Sequence, residues 1–219
     1  MRGSRFGWYA MTVLALLVAG YAFAMAWVPE WRHPLVRELF AQRPLATWGH
    51  FVGGGTALAA GAFQLHAGLR NRWLGLHRWL GRLYVLAVAA GGTAALAMAP
   101  HAATGGVAAS GFALLGVAWL AATALALRAV RQRRLAAHRD WMVRSYALTL
   151  AAVTLRLYLP ASQVAGIPFT VAYPVIAWLC WVPNLLLAQA FLRSRRARAA
   201  LAESVVPPRW RRDAERQPG

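Results

Sequence analysis

The chain has no lysine, few acids and a single cysteine. With Cys180 alone, a disulfide within the chain and a thiolate metal cluster are both excluded, and an inert thiol inside an apolar run is expected. The six acids are Glu30, Glu38, Asp140, Glu203, Asp213 and Glu215, and none falls inside a long apolar stretch. Any general acid or base in those stretches would have to be histidine. No Ser-His-Asp set, metal-spaced carboxylate cluster or phosphate-cradling glycine loop appears, so no hydrolytic or metal site is expected and a redox role stays open. Charge is scarce overall: 14% of residues are charged, against roughly 25% in soluble domains.

What fills the chain instead is apolar sequence. Hydrophobic residues make up 59% and there are 11 tryptophans, with a mean hydropathy of +0.43. A membrane span needs about 20 such residues. Six spans are expected, near 8–28, 45–69, 79–100, 105–127, 140–160 and 171–192. The fifth is interrupted by Arg144 and Arg156 but is uncharged from Ser145 to Leu155, and arginines snorkel at either interface. The expected fold class is therefore all-α, a polytopic helical bundle forming one membrane domain over 1–192, followed by a basic tail over 193–219.

All 24 cationic side chains are arginine, for a formal charge of +18. In a soluble protein that excess would suggest nucleic acid. Here the arginines sit in short loops, where anionic head groups account for them and no nucleic-acid partner is expected. All but Arg32, Arg37, Arg43 and Arg156 fall on one side of the six-span arrangement. That side is cytoplasmic by the positive-inside rule, which puts both termini in the cytoplasm. Met1 to Arg5 with Ala22-Phe23-Ala24 also resembles a signal peptide and its cleavage site, yet the apolar run is longer than a signal core, so an anchoring span is expected. Pro174, Pro183 and Asn184 should kink the last span.

Two arginine-rich loops are related. Arg70-x-Arg72-x-Leu74-x-x-His77-Arg78 recurs as Arg131-x-Arg133-x-Leu135-x-x-His138-Arg139, an offset of 61 residues. One residue of slip later, Trp79, Arg82 and Tyr84 match Trp141, Arg144 and Tyr146. Both copies close one helix and open the next in the same direction, which implies a tandem duplication of a helical hairpin, spans two-three and four-five. At about 100° per residue, His50, Gly53, Gly54, Ala57, Gly61, Gln64 and Gly68 share one face of the second span, and His66 lies nearly opposite. On the third, His77, Gly81, Tyr84, Val88, Gly91 and Ala95 align, and on the fifth His138, Met142, Ser145, Ala152 and Arg156. Small residues so spaced let helix backbones approach closely, or leave room for a flat ligand.

At these residues the chain resembles a bacterial family of predicted membrane proteins catalogued as domain of unknown function 2306. The likeness rests on Trp48-Gly49-His50, Gly61-x-x-Gln64, His77-Arg78 with Gly81-Arg82-x-Tyr84, His138-Arg139-x-Trp141-Met142-x-Arg144-Ser145-Tyr146-Ala147-Leu148 and Thr154-Leu155-Arg156. It implies the architecture and a bacterial inner (plasma) membrane location, but no activity. A weaker likeness is to ascorbate-reducible transmembrane cytochromes b, whose four-helix core pairs histidines to hold two haems. Span four here has no histidine, and the repeat mate of His50 is Gly111, so one symmetric pair at most exists.

Three functions follow from this pattern. The first is binding or transport of an anionic ligand or lipid head group, with Arg78, Arg82, Arg139 and Arg144 as an inner ring, His50 and Arg156 as an outer polar site, and Gln64 and Tyr84 on the ligand-facing surfaces. The second is electron transfer through one b-type haem held by His77 and His138, with ring clearance at Gly81 and Ser145. The third is a structural subunit that binds a membrane partner or a second copy of itself.

Overall fold

Inside lipid a backbone finds hydrogen-bond partners only in itself, and long Leu/Ala-rich runs satisfy that demand as helices. The computed structural model describes residues 2–64 and 72–205, with side chains over 6–64 and 72–201, and among these residues there are helices and turns but no strand. The helices are α1 (Arg2–Trp27), α2 (Pro34–Gln42), α3 (Pro44–Gln64), α4 (Leu74–Met98), α5 (Gly106–Arg131), α6 (Leu135–Thr149), α7 (Ala151–Val164), α8 (Phe169–Leu179) and α9 (Val182–Val205). Single 3-10 turns follow α1 and α4. His66, Gly68 and Arg70 lie outside the described residues, as does the tail beyond 205.

Among the described residues, four stretches are long and apolar enough to cross a membrane: Phe6–Trp27, Leu74–His101, Gly106–Arg131 and Phe169–Leu201. The second and fifth expected spans are not among them. Glycines, Trp48, His50 and Gln64 dilute the apolar content of α3, and Arg139, Asp140, Arg144 and Arg156 do the same for α6 and α7. Both remain helical and packed inside the bundle, α3 between α1 and α4 and α6 against α5.

Two expected spans are each divided. The fifth breaks at Leu150, between α6 and α7. The last breaks at Cys180 and Trp181, just ahead of Pro183, which has no N–H to continue the ladder. Asn184 joins the two breaks: its Nδ2 donates to Cys180 O at 3.0 Å and to Thr154 Oγ1 at 2.9 Å. Past the second break, α9 runs on through Arg193, Arg195, Arg196 and Arg198, so the first part of the basic tail extends the last helix.

The connection after α1 holds a helix that periodicity did not single out. Pro34 starts α2 at a position where a missing N–H costs nothing. Arg32 donates through Nε and Nη2 to Met25 O and Ala26 O, both at 2.8 Å, and so satisfies carbonyls left open at the end of α1. At the same end, Arg43 Nη2 lies 2.7 Å from His101 Nε2 and ties the start of α3 to the turn after α4.

Close backbone approach sets the α3–α4 seam. A Cβ on Gly53 would stand 2.6 Å from Gly91 N and 2.7 Å from Ala87 O, whereas one on Gly54 would meet nothing within 4 Å. Gly53→Ala therefore forces the two backbones apart and is expected to cost about 1–3 kcal/mol. Thermal unfolding in detergent should show a lowered Tm for Gly53→Ala and an unchanged one for Gly54→Ala.

Around this seam the core closes on a set of hydroxyls. Tyr84 of α4 and Tyr146 of α6 are buried to 0% and 1% exposure. Tyr84 OH lies 2.7 Å from Ser145 Oγ and 2.8 Å from Thr149 Oγ1. Thr123 Oγ1 meets Ser145 Oγ at 2.7 Å, and Trp119 Nε1 donates to Thr149 Oγ1 at 2.9 Å. Tyr146 OH donates to Leu58 O at 3.1 Å. Buried polar groups in lipid need such partners, and the network pins α4, α5 and α6 to one another. Tyr84→Phe removes a hydroxyl that serves two of them and should destabilise the fold by about 1–2 kcal/mol. An unchanged unfolding midpoint would show that the network contributes nothing to stability.

Candidate anion site

Arginine inside a span is costly unless it finds a partner. Arg156, on α7, is half-buried, and its surroundings supply little charge compensation. Nη1 donates to Ala152 O at 3.0 Å. The guanidinium lies over the ring of Tyr21 of α1, 4.9 Å from its centroid. Nε is buried with no hydrogen-bond partner among the described residues. The one ion pair among those residues joins Arg196 to Asp140, at the arginine-rich end. Arg156 thus combines a cation, an open donor and no carboxylate.

His50, half-buried on α3, is the other polar member of the expected outer site. Its Nδ1 lies 3.2 Å from Gly91 O. A carbonyl oxygen only accepts, so Nδ1 carries the proton, and in the neutral ring Nε2 is an acceptor. Beside the ring, Phe51 stands edge-on at 6.0 Å between centroids. Of the expected outer site, Arg156 lies over the ring of Tyr21 on α1, and His50 is carried by α3, which packs along α1. Tyr21 gave no signal in the sequence: it is one aromatic residue in an apolar run, outside both the repeat and the family motifs.

Arg78, Arg82 and Arg139 are exposed at the arginine-rich end. Arg144 is half-buried and directs Nε and Nη2 to Gln189 Oε1 at 3.1 and 2.8 Å, with its guanidinium 4.7 Å from the Trp141 ring centroid. These positions suit contact with head groups along a surface. Gln64 is buried and donates to His77 O at 2.9 Å, so it fastens α3 to the start of α4.

His77 and His138 are both half-buried, and His138 Nδ1 donates to Ala126 O at 2.9 Å. The faces that carry them do meet, through Tyr84 and Ser145 two turns along. That meeting fills the space where ring clearance was expected: Ser145 is fully buried and held by Tyr84 and Thr123. On the Ser145 side, a flat ring would meet the Tyr84–Ser145–Thr123 hydrogen bonds. The room for a flat ligand expected from Gly61 is also taken, because the rings of Tyr146 and Tyr84 lie against it. Among the described residues no group of His, Cys, Asp or Glu could hold a metal ion.

No curated protein matches the chain, and no solved structure does. The likeness to transmembrane cytochromes b therefore gains no support. A family model described as predicted membrane protein (DUF2306) matches residues 47–192, roughly two thirds of the chain, from the first turn of α3 into α9 and with His50 and Arg156 inside it, and the chain belongs to that family.

Proposed function

We propose that the protein is a six-span inner-membrane protein that binds an anionic ligand at Arg156, His50 and Tyr21. The observation that carries this reading is Arg156: a half-buried guanidinium with, among the described residues, no partner for Nε and no carboxylate beside it. An anion would convert a costly buried charge into charge-assisted hydrogen bonds. Binding is measured as stabilisation of the purified protein in neutral detergent by a panel of anions at constant ionic strength. The reading requires at least one anion to raise the Tm of the wild type and not that of Arg156→Gln. If none does so, the site is not an anion site.

The six spans are α1, α3, α4, α5, the α6–α7 pair and the α8–α9 pair, with the arginine-rich end in the cytoplasm. Exposed arginines at that end, with α9 continuing among them, contact anionic head groups. A tandem duplication underlies the core, α3–α4 and α5–α6 being the two hairpins. What supports it is that the repeat mates Tyr84 and Tyr146 are both buried and both lie against Gly61. Reporter tags at the two termini should read cytoplasmic, and a tag in the connection after Trp27 should read periplasmic. A C-terminus found outside would rule out six spans.

A further inference from the structure

The three residues of the site lie at one depth. Tyr21 precedes the end of α1 at Trp27, His50 follows the start of α3 at Pro44, and Arg156 precedes the end of α7 at Val164. At about 1.5 Å per residue, all three fall roughly 9–12 Å below the arginine-poor end of the bundle. In a hydrocarbon layer about 30 Å thick, an arginine there would reach the interface only by extending outward, whereas Arg156 turns the other way and donates to Ala152 O one turn deeper on α7. The depth alone would admit either a water-borne or a membrane-borne anion.

The walls separate the two. Helices α1 and α7 meet only lightly, while α1 packs along α3. Beside that contact, Leu17, one turn before Tyr21 on α1, is 66% exposed, Tyr21 41%, and Leu157, next to Arg156 on α7, 52%. In a membrane those side chains face acyl chains. The Arg156 guanidinium rests on the Tyr21 ring, so the charge lies behind a residue that is itself open to the bilayer.

We infer that the anion is the head group of a membrane amphiphile, admitted sideways between α1 and α7 with its apolar tail left among lipid; this rests on the anion site proposed above. A head group arriving within the bilayer keeps its tail solvated by lipid throughout. A small hydrophilic anion has no tail to place on the apolar walls, and loses hydration without that compensation. Arg156 Nε and Nη2 bind the acidic oxygens, and His50 Nε2 accepts from a hydroxyl if the head group has one.

The test uses the full chain in neutral detergent and four probes: oleate, dioleoylphosphatidylglycerol, acetate and inorganic phosphate, with thermal stabilisation read against concentration. The expected result is stabilisation by at least one of the two amphiphiles, at least 10-fold weaker for Arg156→Gln and intermediate for Arg156→Lys. Acetate and phosphate at the same concentrations should leave the Tm unchanged. Oleate against phosphatidylglycerol tells a carboxylate from a phosphate head group. If acetate or phosphate acts over the same range as the amphiphiles and depends on Arg156, the anion site stands and sideways entry is overturned. Equal stabilisation of wild type and Arg156→Gln by the amphiphiles overturns the inference as a general lipid effect. No response to any probe overturns the anion site as well. The Tm of each unliganded variant, with a monodisperse elution profile, shows that it is folded.

Discussion

Arg156→Gln is expected to weaken ligand binding roughly 10- to 100-fold, because a hydrogen bond to a charged group is worth about 1.5–3 kcal/mol. The same substitution should leave the fold intact and raise the Tm of the unliganded protein. Among the described residues Arg156 makes one hydrogen bond, to a carbonyl in its own helix, and gives up hydration for it. A structural arginine behaves in the opposite way, since its removal lowers stability and binding together. The two effects are separated by measuring Tm without ligand and affinity with it. Parallel losses in both would place Arg156 in the scaffold.

The second large effect is expected at Gly61. A methyl there would overlap the Tyr146 ring and crowd the Tyr84 ring, and both rings are anchored by buried hydrogen bonds. Gly61→Leu should cost about 3 kcal/mol or more, enough to abolish recovery of folded protein from a marginally stable bundle. Space is the cause, so space should cure it. Gly61→Ala combined with Tyr146→Leu should be more stable than the sum of the two single effects allows, which is the non-additivity expected of residues in contact. Additive losses would mean that Gly61 is needed for some reason other than the rings.

Several features were legible in the sequence for physical reasons that hold in any bilayer. Acid-free apolar runs must be helical, and arginines between them mark helix ends, so most helices lie where hydropathy puts them. Arg156 was visible because a lone cation in a span has few benign explanations. Other features depend on contacts that leave no local trace. The break at Leu150 has no proline or glycine to announce it. Helix α2 is short: Pro34 opens it, His33 Nδ1 accepts from Leu35 N at that end, and Thr47 Oγ1 of α3 donates to Leu39 O near the other. Tyr21 matters only through the neighbour that α7 brings to it. The spacing of His77 and His138 allowed a shared ligand, yet the fate of the space beyond them was decided by a Tyr84–Ser145 hydrogen bond between helices far apart in sequence. Of the inner-ring arginines, Arg144 is held by Gln189, a partner from another helix that periodicity does not encode.

The most direct test of the anion site is native mass spectrometry of the wild-type protein and Arg156→Gln, both released from the membrane in the same neutral detergent. The wild type should carry a bound anionic species at a defined stoichiometry, and Arg156→Gln should appear as the bare chain. The same adduct at the same occupancy on both proteins would contradict the assignment of Arg156 as the residue that holds it.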